Sequence, residues 1–209
     1  ILKRYISMKI VELIIDEDVD ESGIDAISIV ENPAIEEQFV ALNSQEIKLA
    51  EISKEKKILL GALLVPNKPI FRTGDEGDYY IYFSKETVSK ASQRYLTLGK
   101  QNNSTLEHEH SLKGLSLVES WIVEDKVHDK SRVYGMDVPV GTWMGAVKVN
   151  NDEIWSEYVS TNKVKGFSIE GFFADKMERP KESIKENMSQ DEKLLNKIKN
   201  ILTNEAKTK

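Results

Sequence analysis

The stretch Ile58-Leu59-Leu60-Gly61-Ala62-Leu63-Leu64-Val65 is a nearly continuous apolar run with one glycine inside it. Eight residues without polar alternation are the pattern of a strand buried on both faces, so this run predicts the centre of a β-rich core. Downstream, Asn67-Lys68-Pro69 marks a turn, and beyond the loop from Thr73 to Asp78 the chain resumes as Tyr79-Tyr80-Ile81-Tyr82-Phe83. Two strands around a loop are predicted there. Ser84 is a good N-cap, and Val88, Ala91, Ser92, Tyr95 and Leu98 fall at helical spacing before Gly99. A helix of about four turns follows from that spacing.

Further along, residues 105–110, 115–123, 131–138 and 143–149 read as strands. Asn151 or Asp152 can cap a short helix that turns Ile154, Trp155, Tyr158 and Val159 inward, and a last strand runs from Val164 to Phe173. Upstream, Met8 to Ile15 is strand-like and breaks at Asp16-Glu17-Asp18; a second β-like stretch from Asp25 is stopped by Pro33, which cannot donate to a ladder. Residues 34–57 are a polar, charged connection. Many short strands with few helices predict the α+β class, built as a small curled β-sheet or barrel with peripheral helices, and not alternating βαβ units. The division expected is 1–56 as an N-terminal strand and arm, 57–178 as the main domain, and 179–209 as a charged amphipathic helix. In that helix Leu194, Leu195, Ile198, Ile201 and Leu202 form one apolar stripe suited to a partner.

Composition narrows the chemistry. With 40% apolar and 31% charged residues the chain should fold as a globular protein. Its 29 basic and 35 acidic residues give a net charge of −6, which offers no electrostatic reason to bind a phosphate backbone, so no nucleic-acid partner is expected. The absence of cysteine removes disulfides and a thiol nucleophile, and suits a reducing cytoplasm. No apolar run approaches the roughly 18 to 20 residues a spanning helix needs, so no membrane partner is expected. Acidic turns at 16–21 and 75–78 lack the spaced ligands of a calcium loop and read as solvated loops, and no cofactor is implied. Trp121, Trp143, Trp155, Phe167 and Phe172 read mainly as core.

Two features could carry catalysis. Of the three histidines, His108, His110 and His128, two lie in Leu106-Glu107-His108-Glu109-His110; in a strand their imidazoles share one face. The other feature is Gly166-Phe167-Ser168-Ile169-Glu170-Gly171-Phe172-Phe173. There Phe167 and Ile169 would face the core, Ser168 the opposite side, and the glycines would let another backbone, such as a substrate strand, approach. The pattern alone also suits an ordinary solvent-facing serine and a structural histidine.

Taken in order, DAISIVENPAIE (25–36), LLVPNKPIFR (63–72), YYIYFSKETV (79–88), LEHEH (106–110), LVESWIVED (117–125), GTWMGAVKV (141–149) and VKGFSIEGFF (164–173) resemble the XkdF-type phage serine protease family of prohead maturation enzymes. That family is related in fold to the herpesvirus assemblins, and the resemblance runs from about residue 24 to 175, making 57–178 a protease domain. It implies endoproteolysis of scaffold and capsid proteins, and of the enzyme itself, within the prohead in the host cytoplasm, by a protein that could self-associate. The family's serine falls on Ser168 and its histidine on His108, with His110 as the competing assignment.

A serine hydroxyl needs a base to take its proton, and the base needs an orienting partner. Glu119 is ranked first for that place, with Asp137 and His110 as alternatives; no histidine follows residue 128, so the assemblin arrangement with a second histidine beyond the serine is absent. Backbone amides near Gly166 or just beyond Gly141 are candidate oxyanion donors, and the same glycines equally suit tight turns. Two competing readings are a metal hydrolase with His108, His110 and a carboxylate as ligands, and a non-enzymatic capsid or scaffold component on the same fold.

Overall fold

The computed structural model describes residues 9–33, 40–41, 56–74, 77–176, 195 and 199. In chain order its elements are β1 (Lys9–Ile14), β2 (Gly23–Val30), β3 (Val40–Ala41), β4 (Ile58–Leu64), β5 (Ile70–Gly74), β6 (Gly77–Phe83) and α1 (Lys85–Thr97). There follow β7 (Ser104–Leu106), β8 (His110–Leu112), β9 (Leu115–Ile122), α2 (Lys130–Val133), β10 (Trp143–Val149) and α3 (Asp152–Ile154), which continues as a π-helical turn, Trp155–Val159. β11 (Gly166–Phe172) and β12 (Ala174–Asp175) complete the order.

The predicted core run is β4, paired antiparallel on one side with β10 and on the other with the short β3; Leu59 to Leu64 are buried throughout. Both faces of β4 are covered, which is why it carries no polar alternation. Trp143 at the start of β10 is fully buried and stacks edge-on against Tyr95 of α1 at 5.6 Å, anchoring the helix to the sheet. The Tyr95 hydroxyl donates to the Asn103 carbonyl at 3.2 Å, so its polar end is satisfied, while burial pushes the phenol pKa up. Ser84 caps α1 as expected, accepting from the Thr87 amide. Gly145 in β10 has no room for a side chain, because a Cβ would lie 2.6 Å from Leu63 and 2.7 Å from Leu117.

The α+β class holds: the molecule is mostly sheet with a few short helices. The curled sheet or barrel does not. Among the described residues the strands form three four-stranded sheets, ordered β12-β1-β6-β5, β3-β4-β10-β9 and β11-β2-β7-β8, with no closed barrel. The edges are β12 and β5, β3 and β9, and β11 and β8, and among the described residues no ladder joins an edge of one sheet to another sheet.

Two further expectations change. Residues 131–138 are not a strand: Asp129 caps α2, and Arg132 donates to the Met136 and Val138 carbonyls, folding the segment on itself. Residues 105–110 are not one strand but a tight hairpin, β7-turn-β8. The N-terminal segment contributes β1, parallel to β6, and β2, which lies between β11 and β7 inside a sheet. Of the predicted C-terminal helix only Leu195 and Lys199 are described. Leu195 is buried, and Lys199 Nζ donates to the Tyr82 hydroxyl at 2.8 Å and sits over its ring. The rest of that helix lies outside the described residues.

Candidate active site

The sheet β11-β2-β7-β8 brings the C-terminal serine motif beside the histidine hairpin. Phe167 and Ile169 of β11 pair with Ile29 and Ile27 of β2, and these side chains pack into the core. The alternation of a strand then puts Ser168, Glu170 and, opposite Ser168 on β2, Ser28 on the other face. Registers across the sheet align Ser168, Ser28, Thr105 and Ser111 in one row over four strands. Ser168 is only 9% exposed, so it is not the solvent-facing strand serine that its local pattern also allowed.

His108 reaches this face from a turn. Glu107 and His108 both have left-handed backbone, with φ of 51° and 61°, and the Glu109 amide donates to the Leu106 carbonyl at 3.0 Å. Two left-handed central residues closed by that bond make a hairpin turn of the type that glycine and asparagine normally fill. The turn is tied to β2 at two points and to the residue just after it at a third. The Glu107 amide donates to Ile29 O at 3.1 Å, the Glu107 carboxylate accepts from the Glu31 amide at 2.6 Å, and the His108 amide donates to Ser28 Oγ at 3.1 Å. His108 therefore sits above the residue directly opposite Ser168, where paired Cβ atoms are about 5 Å apart.

A carboxylate that the sequence reading did not single out completes the cluster. His108 Nδ1 lies 3.1 Å from Glu170 Oε1, and the Thr105 hydroxyl donates to the same oxygen. Glu170 is opposite Ala26, whose small side chain leaves the carboxylate a path across β2 to Thr105. The His108 and Glu170 side chains are 41% and 30% exposed, so the pair faces an open approach, not a sealed core. Ser168 Oγ and His108 share no direct hydrogen bond; catalytic contacts often tighten only when substrate binds. The signal for Glu170 was available in its position two residues beyond Ser168, on the same strand face.

The other candidates lie elsewhere. Glu119 is on β9 in the β4-centred sheet, where it pairs with Lys130, which also lies 5.1 Å from the Trp121 ring centroid. Asp137 pairs with Arg132. His110 is on β8, three-quarters exposed, with Glu109 as its ionic neighbour at 3.8 Å. His128 meets Asp125 at 3.1 Å in an exposed turn; the His128 and Val127 amides, with the ring, hold Asp125 low, at about 2. Because the hairpin turn separates them, His108 and His110 are not two ligands on one strand face, and among the described residues no three His, Asp or Glu side chains are placed to hold a metal ion.

The glycines also resolve. At Gly171 a Cβ would overlap the Gly23 carbonyl oxygen and lie 2.8 Å from Ile24 Cα, so the backbone that approaches closely is this chain's own β2, at a register shift, and not a substrate's. Beyond Gly141, the Gly141 amide donates to Val123 O and the Thr142 amide to Pro139 O, so both are already engaged within the fold. Gly166 pairs with Val30. Of the aromatics, Trp143, Trp155 and Phe167 are core and Trp121 packs at its edge, whereas Phe172 is 55% exposed.

A family model described as "Putative phage serine protease XkdF" matches residues 45–178. No curated protein and no solved structure is significantly similar to the chain, and the expected relation in fold to the assemblins is not shown. The match spans most of the chain and contains both the histidine hairpin and β11: the chain belongs to this phage serine protease family.

Proposed function

We propose that this member of the family is a serine endopeptidase in which Ser168 is the nucleophile and His108 the general base. The observation that carries the reading is the placement of both residues on one face of one sheet, with His108 held above the β2 residue opposite Ser168. With Nδ1 turned to Glu170, Nε2 is the ring nitrogen that would serve Ser168. In the reaction Nε2 takes the Ser168 proton as Oγ attacks the peptide carbonyl, then delivers it to the leaving amine; water releases the acyl group by the same steps in reverse order of partners. On this reading, substrate binding draws the imidazole and the hydroxyl into hydrogen-bond contact.

The substrates proposed are the scaffold and capsid proteins of its phage, with cleavage of the enzyme itself, inside the prohead in the host cytoplasm. Enclosure with substrate favours a site of modest affinity, since local concentration takes its place. The test incubates purified protein with the phage's scaffold and reads fragments and intact masses. Ser168→Ala and His108→Ala abolish cleavage on this reading, whereas Glu119→Gln and Asp137→Asn, whose carboxylates pair with Lys130 and Arg132 away from the histidine, cleave as the parent does. Normal cleavage by Ser168→Ala refutes the assignment, and activity that a chelator removes points to the metal-hydrolase reading instead.

A further inference from the structure

We infer that Glu170 is the positioning residue of the site: its carboxylate holds the proton of His108 on Nδ1 and aims Nε2 at Ser168. The inference rests on the serine protease reading and supplies the group which that reading left unplaced. Three observations carry it. Glu170 Oε1 is 3.1 Å from His108 Nδ1. Thr105 donates to the same oxygen, so the carboxylate is itself fixed and does not sample other rotamers at will. Glu170 and Ser168 are two positions apart on β11, which ties the orienting group and the nucleophile to one rigid strand.

The chemistry follows from the ionised carboxylate being an acceptor only. Facing it, a neutral imidazole places its single N–H on Nδ1, and Nε2 presents a lone pair. When Nε2 takes the Ser168 proton, the ring becomes a cation 3.1 Å from a carboxylate that is already in place, and no proton needs to pass to Glu170. Ser28 assists from the backbone side, since its hydroxyl accepts the His108 amide and keeps the left-handed turn over the sheet.

The experiment compares the parent with Glu170→Ala and Glu170→Asp, with kcat and KM measured on a scaffold-derived peptide. It also reads the 15N shifts of the His108 ring at about pH 8.5, about two units above the value of a free imidazole side chain. Only three histidines are present, so His110→Gln and His128→Gln leave a single ring to observe. The expected result is a kcat lowered about a hundredfold or more in Glu170→Ala with KM little changed, partial recovery in Glu170→Asp, and a shift of the ring proton from Nδ1 towards Nε2 in Glu170→Ala. A purely structural carboxylate would leave the tautomer unmoved. A Glu170→Ala protein with parental kcat and parental tautomer, alongside an inactive Ser168→Ala, overturns the role of Glu170 alone. Cleavage by Ser168→Ala overturns the protease reading, and the tautomer then still decides whether Glu170 holds the ring.

Discussion

Replacing His108 by glycine and by alanine should separate the turn from the strand that its sequence suggests, because the two geometries predict opposite signs. Both substitutions remove the imidazole and its contact with Glu170, so that loss cancels in the comparison. What remains is backbone. At φ 61° an L-residue carries a left-handed steric cost of about 1–2 kcal/mol that glycine does not. Glycine in turn gives up about 0.4–1 kcal/mol through its freer unfolded chain. His108→Gly should therefore be the more stable of the two by about 0.5–1 kcal/mol, whereas in a strand interior glycine would be the less stable by a similar amount. Urea denaturation reads the difference as a displacement of the midpoint at equal slope; with a slope of about 2 kcal/mol/M it is about 0.3–0.5 M. Both variants lack the proposed base and should not cleave. A midpoint for His108→Ala at or above that of His108→Gly would show that His108 does not occupy the left-handed turn, and the argument placing its ring over Ser28 would fail with it. A confirmed sign means that the site holds its histidine at a cost in stability, as functional positions often do.

Two further outcomes follow from particular contacts. Gly171→Ala should push β11 off β2, since the added Cβ meets the Gly23 carbonyl and Ile24 Cα; a loss of about 1–3 kcal/mol in chemical denaturation, with cleavage reduced although Ser168 and His108 are intact, is expected, and a parental midpoint would refute the close approach. Glu12 should make stability depend on acid. Burial alone would raise its pKa, but hydrogen bonds from Lys176 and Tyr82 and the charge of Lys176 outweigh burial and hold it below the ordinary carboxylate value. A lowered folded pKa gives stability that is present above the unfolded pKa and is lost as pH falls through the folded one. Glu12→Gln should melt below the parent at about pH 7, and the gap should narrow as pH falls below the ordinary glutamate value of about 4.3 and onward through the lowered folded one; a gap that does not narrow on acidification would show that the ion pair with Lys176 is not its source.

The elements set by local chemistry were legible in the chain itself. The buried run of β4, the Ser84 cap, the helical spacing to Leu98 and the Asn151 cap each depend on neighbours within a few residues, and each is where the periodicity puts it. The alternation around Ser168 likewise dictated which side chains enter the core. Two local readings failed, one to bonds from a segment distant in sequence and one to a competing local fold. Leu106 to His110 has the composition of a strand, yet three bonds to β2 and to Glu31 just beyond it hold Glu107 and His108 in left-handed backbone that their residue types do not favour. Residues 131–138 carry apolar residues at strand spacing, yet Arg132 gathers the carbonyls that a ladder would have used.

Only the tertiary structure decided which carboxylate meets the imidazole. Glu119 was ranked first because it is near the histidine in sequence; it lies in another sheet, on another cation. Glu170 is far from His108 along the chain and close in space, because β2 and β7 run parallel while β11 returns antiparallel on the far side of β2. Strand order and register are properties of the whole sheet, formed by hydrogen bonds between segments with no local signal for one another, and the contents of the site depend on them.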